Sequence, residues 1–323
     1  MSPAATVVPT IDLRGDTGSV AAAIGAAARD VGFFQVVGHG VDQRVIDAAW
    51  STARAFFDLP LADKLAAARV QPSDAYGYVP MAAEALARSM DGADAADQKE
   101  TFNIGPVDAL GRPPHDDGEA WAFGATPWPP ALPALRPAWS AYFHEMLALA
   151  GRLMSLFATA LGLPPDHFAA SIDESPSALR ALNYPAQEVP PPAGSIRAGA
   201  HTDYGTLTIL RQDDAPGGLE VHDHRSGGWV PVPANPDAFV VNLGDLLQRW
   251  TNDRWRSTLH RVVNPPAGAG PASRRQSMAF FHNANYHCVV ECLPGCVAPG
   301  EQPRHAPVLA GPHLMAKYLR ATS

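Results

Sequence analysis

At 323 residues the chain is longer than a typical single domain, yet all-β barrels with helical decoration reach this size as one unit. Hydrophobic residues make up 46% and charged residues 17%, which supplies ample core material and excludes a globally disordered chain. A net charge of −8 with no long basic run excludes a nucleic-acid footprint and a basic membrane-surface patch, leaving a small molecule as the expected partner.

Residues 1–9 lack the basic start and apolar run of a secretion signal, and no early segment is long enough to span a bilayer. A cytoplasmic protein, monomeric or weakly dimeric, is expected. From Asp16 to Pro165 the patterning is mainly helical, with a short strand-like run at 32–37. Behind a capping Asp42, the residues Ile46, Ala49, Trp50, Ala53 and Phe57 recur at helical spacing. Residues 111–137 are dense in Pro and Gly and read as a surface loop. A second helical stripe runs through Tyr142, Met146, Leu149, Leu153, Leu156 and Phe157, stopped by Gly162 and Pro164.

From Ala178 onward the period shifts to two, with short β-rich runs at 207–210, 239–242 and 278–281 between turn residues. Regularly spaced short strands suggest a double-sheet jelly roll, mainly β with flanking α. Residues 312–320 read as a terminal helix. Three cysteines, Cys288, Cys292 and Cys296, match no usual zinc spacing and are expected to be free thiols. The organisation predicted is one integrated domain: a helical region with a few strands at 1–177, the β core at 178–292, and a tail with a helix at 293–323.

In His201-Thr-Asp203 the first and third side chains project from one face if the segment is a strand, so both reach one ion. His260, in a strand-like run at 256–263, is the candidate third ligand of a facial triad suited to a divalent metal and O2 chemistry. Alone the pair is weak, since two polar residues beside a turn are commoner than a metal site. Arg275 and Ser277 form a second same-face pair, in which a guanidinium fork and a hydroxyl would receive the distal carboxylate of a diacid. An exposed basic strand end is the competing reading.

Ordered motifs along the chain now carry a resemblance: Val8-Pro-Thr-Ile-Asp-Leu13, Asp30-Val-Gly-Phe-Phe-Gln-Val-Val-Gly-His-Gly-Val41, Lys99-Glu-Thr-Phe102, Leu182-Asn-Tyr-Pro185, His201-Thr-Asp203, Asn242-Leu-Gly-Asp245, Ser257-Thr-Leu-His-Arg-Val262 and Arg275-Gln-Ser277. The sequence resembles the isopenicillin N synthase-like branch of iron(II)- and 2-oxoglutarate-dependent dioxygenases. The resemblance implies a distorted double-stranded β-helix core, Fe(II) on His201, Asp203 and His260, and the 2-oxoglutarate C5 carboxylate on Arg275 and Ser277. It also places Tyr184 on that carboxylate and Asn183 near the cosubstrate. The chemistry implied is O2-dependent oxidation of a small organic molecule, hydroxylation by default with desaturation or cyclisation as variants, giving succinate and CO2. Where many plant members read Asn-Tyr-Tyr-Pro, this chain has Asn-Tyr-Pro, so the register at Asn183 is open by one residue.

If Arg275 and Ser277 face the interior, parity turns Ala279, Phe281 and Asn283 inward as well, and Phe280 and His282 outward. Phe281 and Asn283 are therefore substrate-side candidates, although an aromatic in a strand is often plain core. By the resemblance, Thr101 and Asn103 approach the substrate, and Tyr76 and Tyr78 lie in a lid. His39, Gly244 and Asp245 are expected to shape turns. Two alternatives stand beside this reading: an iron oxidase that dispenses with 2-oxoglutarate, and a binding protein without turnover.

Overall fold

Period-two and helical apolar patterns sort the chain into two facing sheets and a helical layer in a computed structural model, which describes residues 8–90, 97–187, 194–298 and 300–322. The front half forms β1 (Thr10–Asp12), α1 (Thr17–Asp30), β2 (Phe33–Val37), α2 (Gln43–Phe57), α3 (Leu61–Leu65), β3 (Gly77–Val79), β4 (Glu100–Ile104), α4 (Asp117–Ala122), α5 (Leu135–Ala160) and α6 (Ala169–Ile172). The back half forms β5 (Ala178–Tyr184), β6 (Ala198–His201), β7 (Leu207–Gln212), β8 (Gly218–Asp223), β9 (Gly228–Pro231), β10 (Phe239–Leu243), α7 (Asp245–Trp250), β11 (His260–Val263), β12 (Arg275–His282), β13 (Val289–Val290), β14 (Val308–Leu309) and α8 (Ala310–Thr322).

The large sheet runs β1-β2-β10-β7-β12-β5-β4-β3 and faces a small sheet, β6-β11-β8-β9. This is the double-stranded β-helix expected. The front half is more deeply woven in than its helical pattern suggests, because β1 to β4 are four of the eight strands of the large sheet. The 111–137 stretch is not all loop: Asp116 accepts the Glu119 amide at 2.8 Å and starts α4. Helix α5 then begins at Leu135 and keeps Pro137 in its first turn, where no intrahelical donor is lost. No helix of the described residues is long and apolar enough to cross a membrane.

Helices α1, α2 and α5 cover the outer face of the large sheet. On α5, Trp139, Phe143, Met146, Leu153 and Phe157 are buried at the three- and four-residue spacing that makes one apolar stripe. Phe143 meets Phe280 of β12 edge-on at 5.1 Å, and Phe157 meets Phe34 of β2 at 6.4 Å. Phe280 thus points out of the β-helix but into the helix-sheet core, not into water. Between the sheets lie two small apolar clusters, one around Phe33, Leu219, Val221 and Val240, the other around Leu182, Ala198, Val262 and Ala279. The cavity that carries the polar residues touches both.

The turn after α1 anchors the segment that leads to His260. Arg256 donates its amide to the Ala28 carbonyl at 3.2 Å, and the Thr258 hydroxyl donates to the Val31 carbonyl at 2.7 Å. Gly32 sits in this contact with φ +70, and a Cβ there would collide with the Arg256 carbonyl. We expect Gly32→Ala to cost about 1–3 kcal/mol of stability through strain and that collision, and to weaken metal binding through the displaced 256–260 segment. Chemical denaturation and anaerobic Fe(II) titration check both effects.

Candidate functional site

Four strands, β7 to β10, separate β6 from β11 in sequence, yet β6 and β11 pair antiparallel with His201 opposite His260. Their ring centroids are 4.3 Å apart. The His201 Nδ1 bonds the Gly199 carbonyl at 2.7 Å and the His260 Nδ1 the Thr258 carbonyl at 3.1 Å, which fixes Nδ1 as the protonated nitrogen and frees each Nε2 as a donor to metal. Both Nε2 atoms face Asp203 Oδ1, at 4.0 Å from His201 and 3.8 Å from His260. The ligand atoms of His201, Asp203 and His260 lie within 4.8 Å of one another, and all three residues are buried.

Asp203 does not share a strand with His201 as the sequence suggested, because β6 ends at His201. The loop beyond is clamped instead by the start of α7. Asp245 donates its amide to the Asp203 carbonyl at 2.8 Å, and Leu246 donates to the Gly205 carbonyl at 3.0 Å. Gly244 packs so closely on the Gly205 backbone that a side chain would not fit. The Asp203 carboxylate is oriented by Thr208 Oγ1 at 2.6 Å and Asn242 Nδ2 at 2.7 Å, both donating to Oδ2. Oδ1 is left for an ion.

Burial holds the His201 pKa well below its ordinary value, helped by neighbouring His260, so the imidazole is neutral and its lone pair available. Burial alone would raise Asp203. The two imidazoles and the hydrogen bonds from Asn242 and Thr208 outweigh it and keep the carboxyl below the usual range. Two imidazoles whose Nδ1 atoms are tied to backbone carbonyls and one carboxylate, with free atoms turned to a common point, fit a divalent transition ion such as Fe(II).

Arg275 lies directly across from Tyr184 in the β12–β5 register and is 1% exposed. Its Nη2 donates to Gln212 Oε1 at 2.7 Å, its Nη1 to Ser277 Oγ at 3.3 Å, and its guanidinium stands 5.2 Å from the Tyr184 ring centroid. Among the described residues no carboxylate pairs with it. A second buried arginine, Arg197, stands 5.7 Å from the same tyrosine ring. It is tied to the carbonyls of Pro216 and Ser273, and burial followed by repulsion from Arg275 holds its pKa down to about 10, so it remains a cation. Arg275 lines the cavity and, like Arg197 outside the lining, has no ion partner among the described residues, which makes an anion-seeking end that fits the distal carboxylate of 2-oxoglutarate.

Parity turns Arg275, Ser277, Ala279 and Phe281 into one cavity, which Asn283 also lines. Parity equally removes Asn183 from it. As Tyr184 points in, Asn183 points out, where its Nδ2 donates to Glu100 Oε1 at 2.8 Å and its Oδ1 accepts from Arg274 at 3.0 Å. Asn183 therefore lies outside the cavity lining, contrary to the expected place beside the cosubstrate. Asn103 lines the cavity, whereas Thr101 is buried beside Leu182 and stays outside the lining. Tyr76 joins the roof through its bond to the Ala122 carbonyl, while Tyr78 is core and donates to Glu100 at 2.5 Å. The cysteines are free.

Sequence reasoning missed several lining or supporting residues. Gln212, Thr208 and Asn242 follow when strand parity is applied to β7 and β10 as well as to β12. Arg180 and Glu84 become neighbours only in the fold, at 3.3 Å, and no local signal joins them. The same holds for the roof, where Tyr318 of α8 meets Trp121 of α4 and Leu314 lines the cavity beside them. Tyr318 Oη donates to the Asp74 carbonyl at 2.9 Å, tying α8 to the 73–76 segment.

Comparison with known proteins agrees with this geometry. The model of the 2OG-Fe(II) oxygenase superfamily matches residues 176–284, and that of the non-haem dioxygenase in morphine synthesis N-terminal region matches residues 8–131. The 2-oxoglutarate-dependent dioxygenase caaD of Aspergillus niger is 35% identical over 85% of this chain and 84% of its own. Validamycin A dioxygenase of Streptomyces hygroscopicus is 33% identical over 86% of this chain and 77% of its own. The crystal structure of a full-length Neurospora crassa protein in complex with alpha-KG and thymine superposes with a TM-score of 0.83 at 30% identity, covering 97% of this chain and 96% of that one.

Because Asn242 and Thr208 hold the carboxylate that two imidazoles face, Asn242→Leu combined with Thr208→Val is expected to lower Fe(II) affinity about 10- to 100-fold. Anaerobic equilibrium titration with Fe(II) measures this, and an unchanged affinity would contradict the orienting role.

Proposed function

The chain belongs to the 2OG-Fe(II) oxygenase superfamily and is a 2-oxoglutarate- and Fe(II)-dependent dioxygenase, and from that premise we propose how its residues divide the work. His201, Asp203 and His260 hold the iron. Arg275 and Ser277 receive the distal carboxylate of 2-oxoglutarate, with Tyr184 against it. The substrate is a small organic molecule that enters beneath α8 and meets Phe281, Asn283 and Asn103. The observation that carries this reading is the convergence of three buried ligand atoms within 4.8 Å, in the same cavity as an arginine without a carboxylate partner.

Bound together, Fe(II) and 2-oxoglutarate supply O2 activation coupled to decarboxylation to succinate and CO2, and with it oxidation of a substrate C–H bond. The protein's part is positioning and exclusion. The backbone carbonyls of Gly199 and Thr258 keep both imidazoles in the ligating tautomer, and Thr208 and Asn242 aim the carboxylate. Gln212 and Ser277 fix the Arg275 fork, so a dicarboxylate is received in one orientation. Leu210, Phe281 and the roof residues keep water from the reacting end, which strengthens the electrostatic contacts inside. Hydroxylation is the reaction we assign. The thymine bound to the Neurospora structure and the name of the Streptomyces relative support a small-molecule substrate.

Succinate measured against oxidised substrate tests the cosubstrate, with one succinate per product expected; product without succinate would indicate a 2-oxoglutarate-independent oxidase. His260→Ala is expected to abolish turnover and Fe(II) binding. Arg275→Met should cost about 2–5 kcal/mol in 2-oxoglutarate binding, since it removes one partner of a buried charge pair. An unchanged KM for 2-oxoglutarate in that variant would remove Arg275 from the site.

A further inference from the structure

At the end of the cavity away from Arg275, one row of side chains crosses the large sheet in register: Asn103 on β4, Arg180 on β5 and Ala279 on β12. All three line the cavity, as do Glu84 and Phe281. Arg180 donates to Glu84 Oε2 at 3.3 Å and stands 5.9 Å from the Phe281 ring centroid. Asn103 is 2% exposed, and among the described residues neither its Nδ2 nor its Oδ1 has a hydrogen-bond partner; Glu84 Oε1 also has none there. Leaving such atoms buried and unpaired is costly, and native folds seldom do so without a reason. Whichever way the amide is turned, it offers one donor and one acceptor to whatever fills the cavity.

Charge balance narrows the occupant. Arg180 is compensated by Glu84, and Lys99, which also stands 3.9 Å from Glu84, by Asp97, so among the described residues these four groups leave no surplus charge at this end of the cavity. A carboxylate seated here would compete with Glu84 for Arg180 and leave that buried glutamate only the longer contact with Lys99 at 3.9 Å, and an ammonium would compete with Arg180 for Glu84. Arg275, with no carboxylate beside it, is where an anion belongs. A neutral group with both hydrogen-bonding senses satisfies Asn103 and Glu84 Oε1 and leaves the ion pair intact. The Phe281 ring beside the pair offers a face for a flat body.

We propose that the substrate is a neutral molecule presenting a cyclic amide or imide edge, an N–H beside a C=O, to Asn103 and the Arg180–Glu84 pair, while the rest of its body points toward the metal. The proposal rests on the dioxygenase site described above and names the substrate class for it.

Three probes test it on the intact protein loaded anaerobically with Fe(II) and 2-oxoglutarate, whose weak visible charge-transfer band reports binding beside the metal: glutarimide, N-methylglutarimide and cyclohexanecarboxylate. Glutarimide is expected to perturb the band with a Kd at least tenfold below that of either other probe. Asn103→Leu should erase that preference to within twofold, and Asn103→Asp should weaken glutarimide binding at least tenfold. Because the Asn103 polar atoms have no partners among the described residues, Asn103→Leu is also expected to melt no lower than the parent, which a structural asparagine would not allow. Tighter binding of the carboxylate, equal binding of the N-methyl probe, or no binding of glutarimide by the parent protein would overturn the proposal. Absence of the band before any probe is added would instead count against the dioxygenase site itself.

Discussion

A buried carboxylate facing two buried imidazoles is the constraint around which the rest of this molecule is arranged. Asp203 has lost its water, and Thr208 and Asn242 satisfy only one of its oxygens. The other faces two nitrogen lone pairs, an arrangement that is unfavourable unless a cation completes it. The fold holds it in place from three sides. The β6–β11 pairing sets the histidines opposite each other, the start of α7 clamps the loop of Asp203, and the α1–β2 turn holds the segment before His260. The last of these explains why a largely helical front half belongs to a β-helix enzyme: it supplies the wall against which the third ligand is fixed.

The cavity has two electrostatic characters at its two ends. Near Tyr184, Arg275 lines the cavity, and neither it nor Arg197 has an ion partner among the described residues, so an anionic cosubstrate is favoured there. Near Asn103, charges are already matched and only neutral hydrogen-bonding capacity is left open. A dicarboxylate placed at the wrong end would meet Glu84, so the separation itself orients the two small molecules relative to the metal.

Much of this is legible in the sequence because strands obey a period of two. With Arg275 inward, Ser277, Ala279 and Phe281 follow, and the same rule applied one strand away turns Asn183 outward. The α2 and α5 stripes and the cap at Asp42 are readable because helix burial repeats every three to four residues. Pairing across distance is not readable in this way. Arg180 and Glu84 are 96 residues apart and are joined only when the 84–90 segment lies against β6 and α8. Spacing alone does not reveal where a strand stops, so Asp203 reads as part of one although it lies beyond its end. The short helix α4 is hidden by the prolines and glycines around it, and β1, β3 and β4 by their brevity, whereas β2 is legible as the strand-like run at 32–37.

The row geometry of the large sheet also has a meaning for how such a chain can diversify. The metal ligands sit on β6, β11 and the loop after β6, and Arg275 and Ser277 at the start of β12, whereas the polar groups assigned to the substrate, Asn103, Arg180 and Glu84, lie on β4, β5 and the 84–90 segment toward the sheet's other edge. Mutations in the second set alter what is recognised without disturbing the oxidising apparatus. Descendants of one ancestral gene can thus acquire new preferences by single steps, each of which still encodes a working catalyst.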